Sequence, residues 1–266
     1  MIEPQSDAVP PELPLDLLGQ VGVEHLTYLK EIGSTNSYVL ERLAAGAPAG
    51  PWLVLAERQT AGRGRGENRW WSEEEGGLTF SLAVDAEAVG LPPALWPRLS
   101  MAVGLALCRL LERSPWGLPM QLKWPNDVYV GGRKLGGILV EHWASRLVIG
   151  VGLNVNQEFA RAPLEVRERA TSLLREMGAA CSREALLADA AGAILAILPE
   201  VAREEIDFSY EAGERNFLQW KAVVIRQGRM RTAGRCEGID FDGALLVRSE
   251  QGVQRVLSGT VELAAP

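Results

Sequence analysis

The texture of the chain changes after Trp220, and that change limits the folds open to it. Five short β-rich runs follow (Ala222–Ile225, Arg229–Arg235, Ala244–Arg248, Val253–Leu257 and Thr260–Leu263), joined by turn signals at Gln227-Gly228, Asp242-Gly243 and Gln251-Gly252. Strands this short and closely spaced predict a small barrel. A domain boundary is therefore expected near residue 215, with the barrel over 216–266. Upstream, helical and strand periodicities are mixed. Val39, Leu40, Leu43 and Ala44 share a helical face behind the N-cap candidates Ser34-Thr35-Asn36, and Gly46 ends it. Trp52–Ala56 reads as a buried strand and Leu78–Val84 as a strand of period two. Helical spacing covers 94–112 and 183–203, while strand-like runs cover 120–124, 127–130, 135–141 and 146–153. Pro4, Pro10, Pro11 and Pro14 predict an irregular tail over 1–20, leaving 21–215 for one larger domain.

Composition narrows the chemistry. There are two histidines, His25 and His142, and three cysteines at unrelated spacings, Cys108, Cys181 and Cys236. This excludes a disulfide framework or Cys-rich zinc site and leaves little room for a His-based metal centre or a Ser-His-Asp triad. With 34 acidic against 27 basic residues the formal charge is −7, so the chain is not built mainly to coat nucleic acid. Met1–Gln5 lacks the basic and apolar regions of a signal peptide. No uncharged apolar run approaches the ~20 residues of a membrane span, so a cytoplasmic protein without membrane attachment is expected.

Three motifs concentrate cations, amides and glycines. Gln59-Thr60-Ala61-Gly62-Arg63-Gly64-Arg65-Gly66 follows a predicted strand; glycine admits close backbone approach, and arginine offers forked donors to carboxylate or phosphate. Taken alone, it reads equally as a solvated turn. Lys123-Trp124-Pro125-Asn126-Asp127 and Arg133-Lys134-Leu135-Gly136-Gly137-Ile138 flank a hairpin whose charges could be mere surface decoration. Two glycines inside an apolar strand weaken packing unless a ligand or another backbone comes close. Gly150-Val151-Gly152-Leu153-Asn154-Val155-Asn156 fails the dinucleotide fingerprint, because Val155 stands where its last glycine belongs. Together the motifs hold two anions side by side and supply no nucleophile, which suits joining a carboxylate to the α-phosphate of ATP.

Over residues 28–263 the chain resembles the biotin protein ligases. The resemblance rests on Ser34-Thr35-Asn36, Gln59–Arg65, Lys123–Asp127, Arg133–Glu141 and Gly150–Asn156, with Thr171-Ser172-Leu173 and Gly238-Ile239-Asp240 in support. It implies an α+β fold: a central mixed sheet flanked by helices, and a C-terminal SH3-like barrel. It also implies biotin and ATP as substrates, with Mg²⁺ held on the ATP phosphates and by no side-chain site alone. The product biotinyl-5′-AMP would then pass its biotin to a lysine of a biotin carboxyl carrier domain. Ser34, Thr35, Asn36, Gln59, Gly62, Gly137 and Gly150 match the biotin pocket, and Arg63 and Arg65 the loop over it. Arg65, Arg69, Trp70, Lys123, Asn126 and Asn154 match positions toward ATP. Lys134, with Arg63, Lys123 and Asp127, matches the catalytic group, and Arg133 is expected to join Arg63, Arg65, Lys123 and Lys134 in one cationic pocket.

The sequence departs from the family where Glu67 and Glu73-Glu74-Glu75 follow the Gly/Arg loop, and where Thr260 replaces the usual Glu. Two alternatives stay open: a weakly active or non-catalytic biotin- or nucleotide-binding protein, motivated by these acidic residues, and a superfamily ligase acting on lipoate or octanoate. The 62–76 loop is expected to be mobile before ligand binds. Only 33 residues precede Ser34, so no helix-turn-helix domain and no specific DNA binding are expected. A homodimer is compatible with these motifs.

Overall fold

The computed structural model describes residue 10 and residues 13–47, 50–72, 76–113 and 115–264. In chain order the elements are α1 (Leu15–Gln20), β1 (His25–Ile32), α2 (Thr35–Ala44), β2 (Trp52–Gln59) and β3 (Gly77–Asp85). A 3₁₀ turn (Pro93–Arg98) leads into α3 (Leu99–Leu111), followed by a meander of β4 (Met120–Lys123), β5 (Asp127–Val130), β6 (Arg133–Trp143) and β7 (Arg146–Asn154). Next come α4 (Leu164–Arg169), α5 (Leu173–Met177), α6 (Arg183–Ala202) and α7 (Phe208–Glu211). The chain closes with β8 (Ala222–Gln227), β9 (Met230–Ile239), β10 (Leu245–Ser249), β11 (Gly252–Val256) and β12 (Thr260–Leu263).

Seven strands form one mixed sheet in the order β1-β2-β3-β7-β6-β5-β4, in which only β1 and β2 run parallel. The last five form an antiparallel sheet in the order β11-β10-β9-β8-β12, the SH3-like unit. Residues 215–217 lie along β4: the N–H of Leu122 donates to the Arg215 carbonyl, and that of Phe217 to the Leu122 carbonyl. This covers an edge that would otherwise offer unpaired backbone groups.

Period two decides which face of the large sheet is which. Leu78, Phe80, Leu82 and Val84 of β3, with Leu147, Ile149, Val151 and Leu153 of β7, enter the main core, where α3 and α6 pack together. The opposite face of the same strands carries Thr79, Ser81 and Ala83, and Val148, Gly150, Gly152 and Asn154. There α2 covers Ala83 and Val148 with Val39 and Leu43, and Thr79, Gly150 and Gly152 floor a cleft. The alternation of β3 thus separates core from cleft and not core from solvent, since residues 77–84 are all buried.

One expectation changes. The tail is not irregular as far as residue 20, because Leu15–Gln20 is helical and buries Leu18 completely. Two helical stretches, Pro93–Leu111 and Arg183–Ala202, are long and apolar enough to cross a bilayer. Half or more of each lies buried within the protein, which explains their composition as core helices.

Candidate active site

A cleft of about 450 Å³ opens between the N-terminus of α2, the strands β3, β7, β6 and β5, the loop after β2 and the start of β12. Its inner end is neutral and hydrogen-bonded. Ser34 occupies the N-cap position of α2 in extended conformation, yet its hydroxyl caps nothing and lines the cleft. The capping is done from β2: the Thr35 N–H donates to Gln59 Oε1 at 2.7 Å. Asn36 is 3% exposed and has its amide orientation fixed, since Nδ2 donates to the Leu139 carbonyl (3.1 Å) and to Glu141 Oε2 (3.0 Å), both acceptors only. Its Oδ1 therefore faces Ser81 Oγ, 2.6 Å away. A Cβ at residue 150 would lie 2.3 Å from that oxygen, which is the physical reason for Gly150.

The other end is charged. β5 and β6 pair Asp127 with Gly137 and Tyr129 with Lys134, with a register shift between. This bulge leaves Leu135 as the extra residue. Lys134 and Gly137, three apart, consequently face the same side as Asp127. Lys134 Nζ meets Asp127 Oδ1 at 2.6 Å, and a Cβ on Gly137 would come within 3.3 Å of that nitrogen. The Lys134 carbonyl is anchored from behind by the Thr171 N–H at 2.9 Å and by Asn154 Nδ2 at 3.4 Å. Lys123 sits 5.7 Å from the Tyr129 ring centre. Burial pushes its ammonium below the usual lysine range, partly offset by Asp127.

The Gly/Arg loop turns back on itself over these groups. The N–H of Gly64 donates to the Asn68 carbonyl (2.8 Å) and that of Trp70 to the Gly62 carbonyl (2.9 Å). The Trp70 ring lies on Gly152, where a Cβ would come within 2.4 Å of it. Its indole N–H is buried without a hydrogen-bond partner. Arg65 donates to the Gly259 carbonyl at 3.1 Å, and burial lowers its pKa. Trp124 Nε1 donates to the Gly243 carbonyl at 3.0 Å. Both cleft motifs are thereby fastened to the C-terminal unit.

Comparison with known proteins matches this geometry to a family. Residues 28–157 match the biotin/lipoate A/B protein ligase family and residues 221–264 the biotin protein ligase C-terminal domain. The chain is 32% identical over 248 residues to the biotin–[acetyl-CoA-carboxylase] ligase of Paracoccus denitrificans, covering 88% of this chain and 98% of that one. The chain is a member of the biotin protein ligase family. It is also 32% identical to a bifunctional ligase/repressor of Bacillus subtilis over 265 residues, 95% of this chain and 78% of the relative. Its fold is similar to biotin protein ligase from Aquifex aeolicus in complex with biotin and ATP, with a TM-score of 0.74, 30% identity, and coverage of 90% and 99%.

Within this family member, Ser34, Thr35, Asn36, Gln59, Gly137 and Gly150 line the cleft, as do Arg63, Arg65, Arg69 and Trp70, and Lys123, Asn126, Asp127 and Lys134. Two expected residues do not. Gly62 instead closes the loop, since a Cβ there would meet the Trp70 carbonyl at 2.5 Å. Asn154 is buried behind Lys134. Arg133 is also outside the cationic cleft: it pairs with Val130 at the hairpin turn and is exposed. The Arg63 guanidinium is engaged by Ser37 Oγ (3.0 Å) and Glu141 Oε1 (2.5 Å). Glu67 is exposed and off the cleft lining, whereas Glu73–Glu75, within the loop expected to be mobile, lie outside the described residues. Sequence reasoning missed Ser81 and the role of Glu141. The polar alternation of β3 was the available signal for Ser81.

Proposed function

We propose that the chain makes biotinyl-5′-AMP from biotin and ATP and passes the biotin to a lysine of a biotin carboxyl carrier domain. The observation that carries this reading is the division of one cleft into a neutral, hydrogen-bonded end and a charged end. The ureido ring of biotin needs neutral donors and acceptors; its carboxylate and the α-phosphate need cations. In the first step a biotin carboxylate oxygen attacks the α-phosphorus, and the bond to the β-phosphate oxygen breaks to release pyrophosphate. Lys134 lies where both anions would meet, with Lys123, Arg65 and Arg69 toward the phosphates. Positioned cations of this kind stabilise charge as it develops.

In the second step the carrier amine attacks the acyl carbon, the bond to AMP breaks and an amide forms. Anions drawn to Lys134 compete with Asp127 for its ammonium, which leaves Asp127 able to accept the amine proton. Mg²⁺ fits only alongside the ATP phosphates: among the described residues no group of three or more His, Cys, Asp or Glu side chains could hold a metal. Asp127, Glu165 and Glu262 are the carboxylates of the lining, and Mg²⁺ commonly takes one or two carboxylates together with phosphate oxygens. Bound there, the ion offsets phosphate charge. A reaction consuming ATP supports a cytoplasmic location. The test is incubation with biotin, ATP, Mg²⁺ and a purified carrier domain. Mass spectrometry should find one biotinylated lysine on the carrier; an unmodified carrier in the presence of formed adenylate would remove the transfer step.

A further inference from the structure

The Arg63 side chain is 41% exposed and that of Glu141 23%, and a surface pair of this kind adds little to stability. Its connections say more than its strength. Glu141 divides its carboxylate between two places, Oε2 accepting from the cleft amide Asn36 at 3.0 Å and Oε1 accepting from Arg63 at 2.5 Å. Arg63 also reaches Ser37, which lies on α2 next to Asn36. One carboxylate thus ties the Gly/Arg loop to the amide whose orientation shapes the neutral end. Reversing that amide would aim its NH₂ at Ser81 and its oxygen at the Leu139 carbonyl and Glu141, which cannot donate to it.

We propose that Glu141 is a positioning residue that sets Asn36 for biotin and fastens the Gly62–Trp70 loop through Arg63, so that Arg63 acts through Glu141 and not on the phosphates. A glutamine at 141 has one accepting oxygen and an NH₂ group. It can serve Asn36 or Arg63 but not both. The prediction for biotin rests on the proposed ligase activity; the prediction for the loop does not.

The experiment has two arms on the full chain. In biotin-dependent ATP–pyrophosphate exchange, Glu141→Gln and Arg63→Ala should each raise the biotin KM about fivefold or more with kcat within about twofold, and the double variant should be no worse than the worse single one. Multiplying effects would show that the two residues act separately, and an unchanged KM in Glu141→Gln would show no positioning; either overturns the proposal. In limited trypsin digestion without ligand, Glu141→Gln should be cut between 63 and 69 about fivefold faster than the unsubstituted protein, because native cleavage follows local opening. Glu205→Gln, at the remote pair with Arg203, should be cut at the unsubstituted rate. Equal cutting of Glu141→Gln overturns the fastening whatever the chain's activity. Faster cutting in a protein that shows no biotin-dependent exchange upholds the fastening and removes the ligase reading instead.

Discussion

At one end of the cleft, Thr35, Asn36, Gln59 and Ser81 are all under 9% exposed and hydrogen-bond mainly to one another and to backbone. At the other, the Lys134 side chain is 32% exposed and the Asp127 side chain 17%, under a loop tied to a second sheet. The neutral end is pre-formed, because buried amides without partners are costly and so hold fixed orientations. At the charged end Lys134 and Asp127 stay partly exposed and paired with each other until anions arrive, since unpaired buried charge costs more still. Recognition is therefore built rigidly and charge neutralisation is built to be completed by the substrates.

Substitutions at the two ends should fail in different ways. Lys134→Ala should lower kcat for biotin-dependent pyrophosphate exchange by about 10²–10³; a loss under threefold would move the chemistry away from the charged end. Asp127→Asn should slow transfer to the carrier by about 10² while leaving adenylate formation within a few-fold. Equal loss of both half-reactions would assign Asp127 to holding Lys134 alone. At the neutral end, Gly150→Ala forces a Cβ against Asn36 and should raise the biotin KM about tenfold or more, with a smaller change in kcat. An unchanged KM would mean that the neutral end is not rigid.

The smallest effect concerns pH. Burial lowers the Lys123 pKa from the ordinary 10.5. Between its folded value and 10.5 the unfolded chain therefore binds more protons, so stability rises with pH through that window. In urea titrations from about pH 8 to about pH 10, the unsubstituted protein should gain stability relative to Lys123→Met. Parallel curves would show that Lys123 is solvated in the folded state.

The legible parts of the molecule are those written locally. The meander from 120 to 153 and the five C-terminal strands carry their own turn signals, and α3 and α6 carry helical periodicity over many residues. β1 was not legible. Thr27 is buried between Leu26 and Tyr28 while Lys30 and Glu31 are exposed, so no clean alternation appears, and its partner β2 lies across α2 and a loop. The charged motifs were readable as a set, but not which way each side chain points. Lys134 enters the cleft and Arg133 leaves it because of a bulge, a register feature that no residue type announces. Ser81 sat in a visible period-two pattern, but that pattern looks the same whether its polar face meets water or, as here, the buried hydroxyl of Thr35 and amide of Asn36.

The most direct test of the central claim is ATP–pyrophosphate exchange with the unsubstituted protein, run with biotin, with lipoate, with octanoate and with no acid. The neutral end predicts exchange with biotin only, because its fixed amide and hydroxyls answer a polar ring that the two fatty acids lack. Exchange driven equally well by lipoate or octanoate, or none with biotin, would contradict it.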